Sequence, residues 1–327
     1  MPDAFAATTD ELYRRLLRLH LEPTFGELDV NELSTAKVRT WRAERLGVTG
    51  ATTVAKSYRL LKAIMETAVD DELIRRNPCR IKGAGKEEAD ERPIATVEQV
   101  FDLADAIGLR WRLMILLGAF ASMRPEELAE LRRKDIDLEE GSVWVKRAAT
   151  ELTTGKRVLG DPKSRAGKRE IMLPQSVLTD LRQHLDWFAE PGPEGLVFVG
   201  ERGAPFRRST FGRKYRKARK KAGLPDDFRF YDLRGTGNNL AADTGAKLKD
   251  LMVRAGHSSA RAQLIYQHSK RKHQRKIASA MDADVRRQRQ QATDRGEEVG
   301  ELATVHRLAT RTSTSEVPGE AIESAER

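Results

Sequence analysis

The sequence predicts a mainly α-helical protein with a small antiparallel β-sheet: a helical N-terminal domain followed by a larger, mixed α+β domain. Three observations carry this. Apolar residues recur at helical spacing through about the first 80 residues. A charged stretch with almost no apolar content, Lys82-Gly-Ala-Gly-Lys-Glu-Glu-Ala-Asp-Glu-Arg-Pro93, then interrupts the pattern. Between 142 and 173 the period shortens to that of strands, and helical spacing returns afterwards. A length of 327 residues suits two domains, each with its own core.

Taken in order, Thr8 and Thr9 are expected to cap a first helix carrying Leu12, Leu16, Leu17 and Leu19. Ser34 is expected to cap a second, with Val38, Trp41 and Leu46, stopped by Gly47. A third runs from about Ala51 to Leu73, with Val54, Tyr58, Leu61, Ile64, Met65, Ala68 and Val69 on one face, and Asn77-Pro78 closes the block. This gives a domain over 1–82 and a solvated linker over 83–95. Thr96 opens the next helix, with Gln99 placed for a capping box, and a very apolar helix follows over Leu113–Phe120. Ser142–Lys146, Arg157–Leu159 and Arg169–Leu173 read as short strands, with turns at Thr153–Lys156 and Ser164–Lys168. Helical pattern resumes at Val177–Phe188 and persists, with interruptions, to about Arg287. The second domain is placed at 96–283, and the polar remainder, 284–327, is expected to be a mobile tail or an interaction segment.

Bulk chemistry narrows the function. A net charge of +10 and a sequence pI of about 9.7 call for an anionic partner. The single cysteine, Cys79, excludes an internal disulfide framework and fits a reducing cytoplasm. Neither a run of 18 apolar residues nor a basic-then-apolar leader over Met1–Asp10 is present, so secretion and membrane spanning are not expected.

Five residues make up a kit for breaking a phosphodiester: Arg124 in A-S-M-R-P-E-E-L, Lys163 in G-D-P-K-S, Arg234 in Y-D-L-R-G-T, His257 in A-G-H-S-S and Tyr266 in L-I-Y-Q-H. Cations neutralise charge that builds on phosphate, a phenol can attack phosphorus, and an acid must protonate the departing sugar oxygen. Each residue also has a plainer reading. Arg124 can pair with Glu127 or Glu126, His257 can be a structural hydrogen bonder, Tyr266 a core tyrosine and Lys163 a solvated hairpin lysine. A second feature is the strip Arg207–Lys221, with nine basic residues and no acid: Arg207, Arg208, Arg213, Lys214, Arg216, Lys217, Arg219, Lys220 and Lys221. On a helix, Phe211, Tyr215 and Ala218 form its packed side and the cations face phosphate.

The order of the five residues, their flanks and the nine-residue step from His257 to Tyr266 resemble the tyrosine recombinase (phage integrase) family, over roughly Thr8 to Met281. The stretches G-A-T-T-V-A-K-S-Y-R and T-G-N-N-L-A-A-D-T-G-A are similar to integrases of actinobacterial mobile elements. The resemblance implies a helical, SAM-like core-binding domain and a tyrosine-recombinase catalytic domain that together clamp duplex DNA. It implies Arg124 and Arg234 as phosphate clamps, Lys163 as general acid (Lys156 and Lys168 being weaker candidates), His257 as a further catalytic residue and Tyr266 as nucleophile. The product would be a 3′-phosphotyrosyl link, formed without metal, cofactor or ATP. The expected partners are double-stranded core sites, a homotetramer on paired sites joined through the segment after Met281, and an accessory directionality factor. The expected location is the nucleoid of a bacterial cytoplasm. Many phage integrases carry a further arm-binding domain at the N-terminus; its lack here implies action on core sites alone, a late start or a truncated gene.

Two positions depart from the family pattern. Tyr231 stands where the family box usually begins with histidine, and Gly235 where a histidine is common. An imidazole titrates near neutrality and a phenol does not, so the expectation is a working, slower enzyme in which Tyr231→His retains or raises the cleavage rate. Tyr231 is therefore included among the site residues. The alternatives weighed are a decayed integrase that only binds DNA, a type IB topoisomerase, and a metal-dependent nuclease built on Glu151 and Asp161-Pro162-Lys163.

Overall fold

The structure, a computed structural model, describes residues 4–87, 91–260, 263 and 271–294. These fall into two units, one within Met1–His268 and one within Ser269–Arg327.

The N-terminal block is helical, as the periodicity predicts. Helix α1 (Ala4–Leu16) runs into a π-helical turn at Leu17–Leu21, then α2 (Glu22–Phe25), α3 (Thr35–Val48) and α4 (Ala51–Asp70). Three ends differ from expectation. Helix α1 starts ahead of Thr8 and Thr9, because the alanine-rich start is itself good helix former. Ser34 caps α3 as expected, its hydroxyl accepting from Lys37 N–H at 3.2 Å, but α3 continues through Gly47 to Val48. Helix α4 stops at Asp70 rather than Leu73. There Glu72 adopts a left-handed φ of 60° and Leu73 N–H returns to Ala68 O at 2.9 Å, closing the helix without the glycine that would have signalled it. Trp41, Val38, Leu61, Met65 and Tyr58 form the core of this block. Tyr58 Oη accepts from Ile81 N–H at 2.9 Å, tying the chain after α4 back onto the bundle.

The charged stretch that follows keeps Lys82, Lys86, Glu87 and Glu91 exposed and is anchored at a few points. Arg59 of α4 donates to Gly85 O at 3.1 Å and pairs with Glu87, and Ala84 and Ala95 are both buried. Among its described charges, Glu87 and Arg92 have partners on flanking elements, which composition cannot reveal.

The larger block packs around α6 (Leu109–Phe120), buried over most of its length. Helix α5 (Val97–Ile107) carries the expected capping box: Gln99 N–H donates to Thr96 Oγ1 at 3.1 Å and Thr96 N–H to Gln99 Oε1 at 3.0 Å. After the one-turn α7 (Pro125–Leu128) come β1 (Ile136–Asp137), β2 (Ser142–Val145), β3 (Ala148–Glu151), β4 (Arg157–Gly160) and β5 (Arg169–Met172). They pair as an antiparallel β1-β2-β5 sheet and a β3-β4 hairpin. Strands β2, β4 and β5 match the expected ones. The other two escaped notice because β1 has two residues and β3 is alanine-rich, with little β propensity. Helices α8 (Gln175–Trp187), α9 (Arg208–Lys221), α10 (Asp232–Asp243) and α11 (Leu248–Ala255) complete the block. In the second unit, α12 (Arg271–Asp294) continues past Arg287, where the apolar pattern fades, on residues that favour helix without packing. Among the described residues no helix is long and apolar enough to cross a membrane.

Candidate active site

Helix α6 ends in a strained turn that starts the site. Ser122 holds a left-handed φ of 50°, unusual for a residue with a Cβ, and is fully buried. Two residues on, Arg124 precedes Pro125 at the start of α7. Glu127 accepts from Arg124 N–H at 2.9 Å and from Arg124 Nη1 at 2.7 Å, so the ion pair weighed from sequence does form. The same carboxylate takes Nη1 and Nη2 of Arg169, on β5, at 3.1 and 3.0 Å. Burial alone would lift Glu127, but Arg169 and then Arg124 hold it below the usual carboxylate range. For Arg124, burial works against the charge, while Glu127 and the Tyr231 hydroxyl outweigh it and raise its pKa.

Arg234 comes from the first turns of α10. Its Nη1 donates to Ser122 O and its Nη2 to Ala255 O, and the side chain is 1% exposed. Its Nε finds no partner among the described residues. Burial and then Arg124 lower it to about 10, still a cation at neutral pH. A close helix contact sets this reach. A Cβ on Gly237 would lie 1.8 Å from Ala119 O and 2.6 Å from Ser122 Oγ, so only glycine lets α10 sit this near the end of α6.

His257 follows α11, which Gly256 terminates at a left-handed φ of 62°, with His257 N–H on Met252 O at 2.9 Å. Gly256 is also pressed against Arg169, and its carbonyl accepts from Arg124 Nη2 at 3.3 Å. The imidazole is buried, 8% exposed, with Nδ1 2.7 Å from Gln263 Oε1. Because that oxygen can only accept, Nδ1 carries the hydrogen and Nε2 the lone pair. Burial, then Arg234, pushes His257 down to about 4, so it is neutral at pH 7.

Arg124, Arg234 and His257 thus meet around the carbonyls of Ala255 and Gly256. Arg124 and Arg169 pair with one carboxylate, and Arg234 lies close enough to feel its charge, leaving a surplus of positive charge suited to a phosphate. Tyr231, 42% exposed just before α10, acts on both Arg124 and Arg234. Lys163 is exposed in the segment between β4 and β5, and no contact among the described residues brings it to the arginines. Its neighbour Lys168 pairs with Asp161 at 2.9 Å, while Glu151 accepts from Arg208 N–H at 2.8 Å. Tyr266 lies outside the described residues.

Helix α9 buries Phe211, Tyr215 and Ala218 as expected. Its cations are not equivalent. Arg207 pairs with Glu151, Lys214 with Glu201 and Arg219 with Asp226. Arg208, Arg213, Arg216, Lys217, Lys220 and Lys221 are exposed.

Sequence reasoning missed Arg169, Ser122, Gly237 and Gln263. Arg169 had a usable signal: it alternates with Ile171 on the inward face of a strand, where a charge needs a partner. The others are set by contacts between elements distant in sequence.

Residues 94–273 match the model of the phage integrase family. The chain is 41% identical over 273 residues to a putative prophage phiRv2 integrase of Mycobacterium tuberculosis, covering 82% of this chain and 72% of that protein. It is 35% identical over 280 residues to an integrase of Mycobacterium phage D29, covering 84% and 74%. In fold it is similar to the Tn1549 transposon integrase solved with transposon right end DNA, at a TM-score of 0.71 and 22% identity, covering 84% of this chain and 94% of that one. It is likewise similar to a lambda integrase solved as a tetramer on a Holliday junction, at a TM-score of 0.61 and 18% identity, covering 80% and 72%. With its family domain spanning more than half its length and its arginines and histidine gathered at one buried seam, the chain belongs to the phage integrase family.

Proposed function

We propose that this chain is a site-specific DNA recombinase that cuts and rejoins duplex DNA for a phage or other integrative element. The observation that carries it is the meeting of Arg124, Arg234 and His257 at the α11 terminus, in a chain of this family. In this proposal the Tyr266 oxygen attacks phosphorus, the P–O5′ bond breaks, and a 3′-phosphotyrosyl link and a free 5′ hydroxyl result. A phenol of pKa about 10 is ionised in only about one molecule per thousand at pH 7. In this proposal His257, with its Nδ1 2.7 Å from Gln263 Oε1, takes part in moving that proton. Arg124 and Arg234 stabilise the charge that develops on the phosphate oxygens, and Lys163 protonates the departing 5′ oxygen. That last step requires the exposed segment carrying Lys163 to close on DNA. Since the phosphotyrosine conserves the energy of the broken bond, a different 5′ hydroxyl can reverse the step, and no metal or ATP is required.

The partners in this proposal are duplex core sites, gripped in part by the exposed cations of α9, and further copies of the chain assembled as a tetramer through the segment after Met281. A directionality factor would bias integration against excision, and the reaction would take place at a bacterial nucleoid.

The test is covalent trapping on a nicked or phosphorothiolate suicide substrate in EDTA, comparing wild type with Tyr266→Phe. An adduct in wild type alone is the expected result. Adduct in both proteins would move the nucleophile elsewhere. None in either, on DNA that the protein binds, would identify a binding-only descendant of an integrase.

A further inference from the structure

Ala84 belongs to the core of the first block and Ala95 to that of the second, so the residues between them join the two. Arg92, near the far end of this join, is held by a carboxylate fork. Its Nε and Nη2 donate to the two oxygens of Asp232 at 3.1 and 2.7 Å, and its Nη1 donates to Asp227 Oδ2 at 3.1 Å. Asp232 is 6% exposed, opens α10 and also accepts from Arg229 N–H at 2.7 Å. One helical turn on, Thr236 Oγ1 accepts from Ala95 N–H at 3.1 Å and donates to Asp232 O at 3.2 Å. The join is therefore fastened to α10 at 232 and at 236, on either side of Arg234.

Arg234 has little room to adapt. Its two Nη groups are committed to carbonyls on different elements, Ser122 O and Ala255 O, inside a buried seam. A small slide or rotation of the first turn of α10 would carry the guanidinium out of that frame. A misplacement of about 1 Å at a reacting centre is enough to cost about 100-fold in rate.

We propose that Arg92 is a positioning residue for strand cleavage: acting through Asp232, it holds α10 so that Arg234 is in place, and the segment joining the two domains thereby sets cleavage competence. This rests on the recombinase function proposed above. A side chain that merely fastens the domains together would affect stability or DNA affinity, whereas a positioning residue affects the chemical step with DNA already bound. The geometry also separates arginine from lysine, since only arginine supplies two parallel donors to one carboxylate.

The experiment measures the single-turnover rate of adduct formation at saturating suicide substrate, alongside Kd for the same DNA and the urea midpoint. The proteins are wild type, Arg92→Ala, Arg92→Lys, Asp232→Asn and the Arg92→Ala/Asp232→Asn double variant. Arg92→Ala is expected to slow adduct formation about 10- to 100-fold with Kd little changed, and Arg92→Lys to fall between. Asp232→Asn should slow it comparably, and the double variant should be no slower than the slower single, because both changes remove one contact. A wild-type rate in Arg92→Ala at saturating DNA, or losses that simply multiply in the double variant, would overturn the inference. Should Arg92→Ala fail to fold, Arg92→Lys decides, and a wild-type rate there overturns it. No adduct from wild type on DNA that it binds would sink the recombinase function and this inference together; equal adduct from wild type and Arg92→Ala sinks the inference alone.

Discussion

Arg169 donates Nη1 and Nη2 to the two carboxylate oxygens of Glu127 at 3.1 and 3.0 Å, with both side chains almost wholly buried. This pair, rather than Arg124 alone, fixes where the first arginine of the site can be. Glu127→Gln leaves the buried Arg169 and the half-buried Arg124 facing a neutral amide, and is expected to lower unfolding stability by about 3–5 kcal/mol. Urea denaturation checks this. Adding Arg169→Met to that variant should recover part of the loss, because an apolar side chain needs no counter-charge. An unchanged midpoint in Glu127→Gln would mean the carboxylate does not neutralise the pair.

Gly237 offers a second, steric test. Alanine is the better helix former by about 1 kcal/mol, so on propensity alone Gly237→Ala should stabilise α10. The structure points the other way, since the new Cβ would fall 1.8 Å from Ala119 O. The helix must shift, at a cost of about 1–3 kcal/mol, and Arg234 must lose its place beside Ser122. Both the urea midpoint and the adduct rate are expected to fall. A gain in stability with full activity would show that the two helices are not so closely packed.

What was legible in the sequence follows from the range of the forces involved. Helices with an apolar face, the Thr96–Gln99 capping box and the Ser34 cap are local matters of period and short hydrogen bonds, and they stand where expected. Arg124 and His257 were found through their flanking motifs and Arg234 through its spacing from His257 and Tyr266, and the structure brings Arg124, Arg234 and His257 together. Helix ends were less legible: α4 closes on Glu72 in a left-handed conformation that residue type did not signal. Least legible were Ser122, Gly237 and Gln263, whose importance exists only once α6, α10 and the α11 terminus meet. The charge of the linker was legible but its anchors were not, since Arg92 pairs with the distant Asp232 and Glu87 with Arg59.

Helix α9 separates cations that composition treats as equal. Arg216 and Lys217 are exposed, whereas Arg219 is largely covered and paired with Asp226. If Arg216 and Lys217 each meet a phosphate, replacing either with glutamine should reduce the slope of log K against log salt by about 0.9. Arg219→Gln should leave that slope unchanged and affect stability instead. Binding isotherms on a core-site duplex at several salt concentrations measure this. Equal slope changes in all three variants would show that the Arg219–Asp226 pair opens on DNA.

His184 and His257 are each pushed down to about 4, mainly by burial. His184 is enclosed by Phe188 and Phe198, with Nε2 2.8 Å from Val197 O. In the unfolded chain both imidazoles take up a proton near pH 6.5, whereas the folded protein resists until about 4. The unfolded state therefore binds more protons across that window, and stability falls as pH falls. Stabilisation is complete above about 6.5 and declines towards 4, by up to about 1.4 kcal/mol per pH unit for each imidazole. His184→Gln keeps an amide donor for Val197 O but cannot titrate. Between about pH 6.5 and pH 5, its loss of urea midpoint is expected to be clearly smaller than that of wild type, with His257 and the half-buried His20, also lowered by burial, supplying what remains. Equal losses would mean that His184 accepts a proton in the folded protein as readily as in the unfolded chain, and that the aromatic enclosure does not exclude its charge.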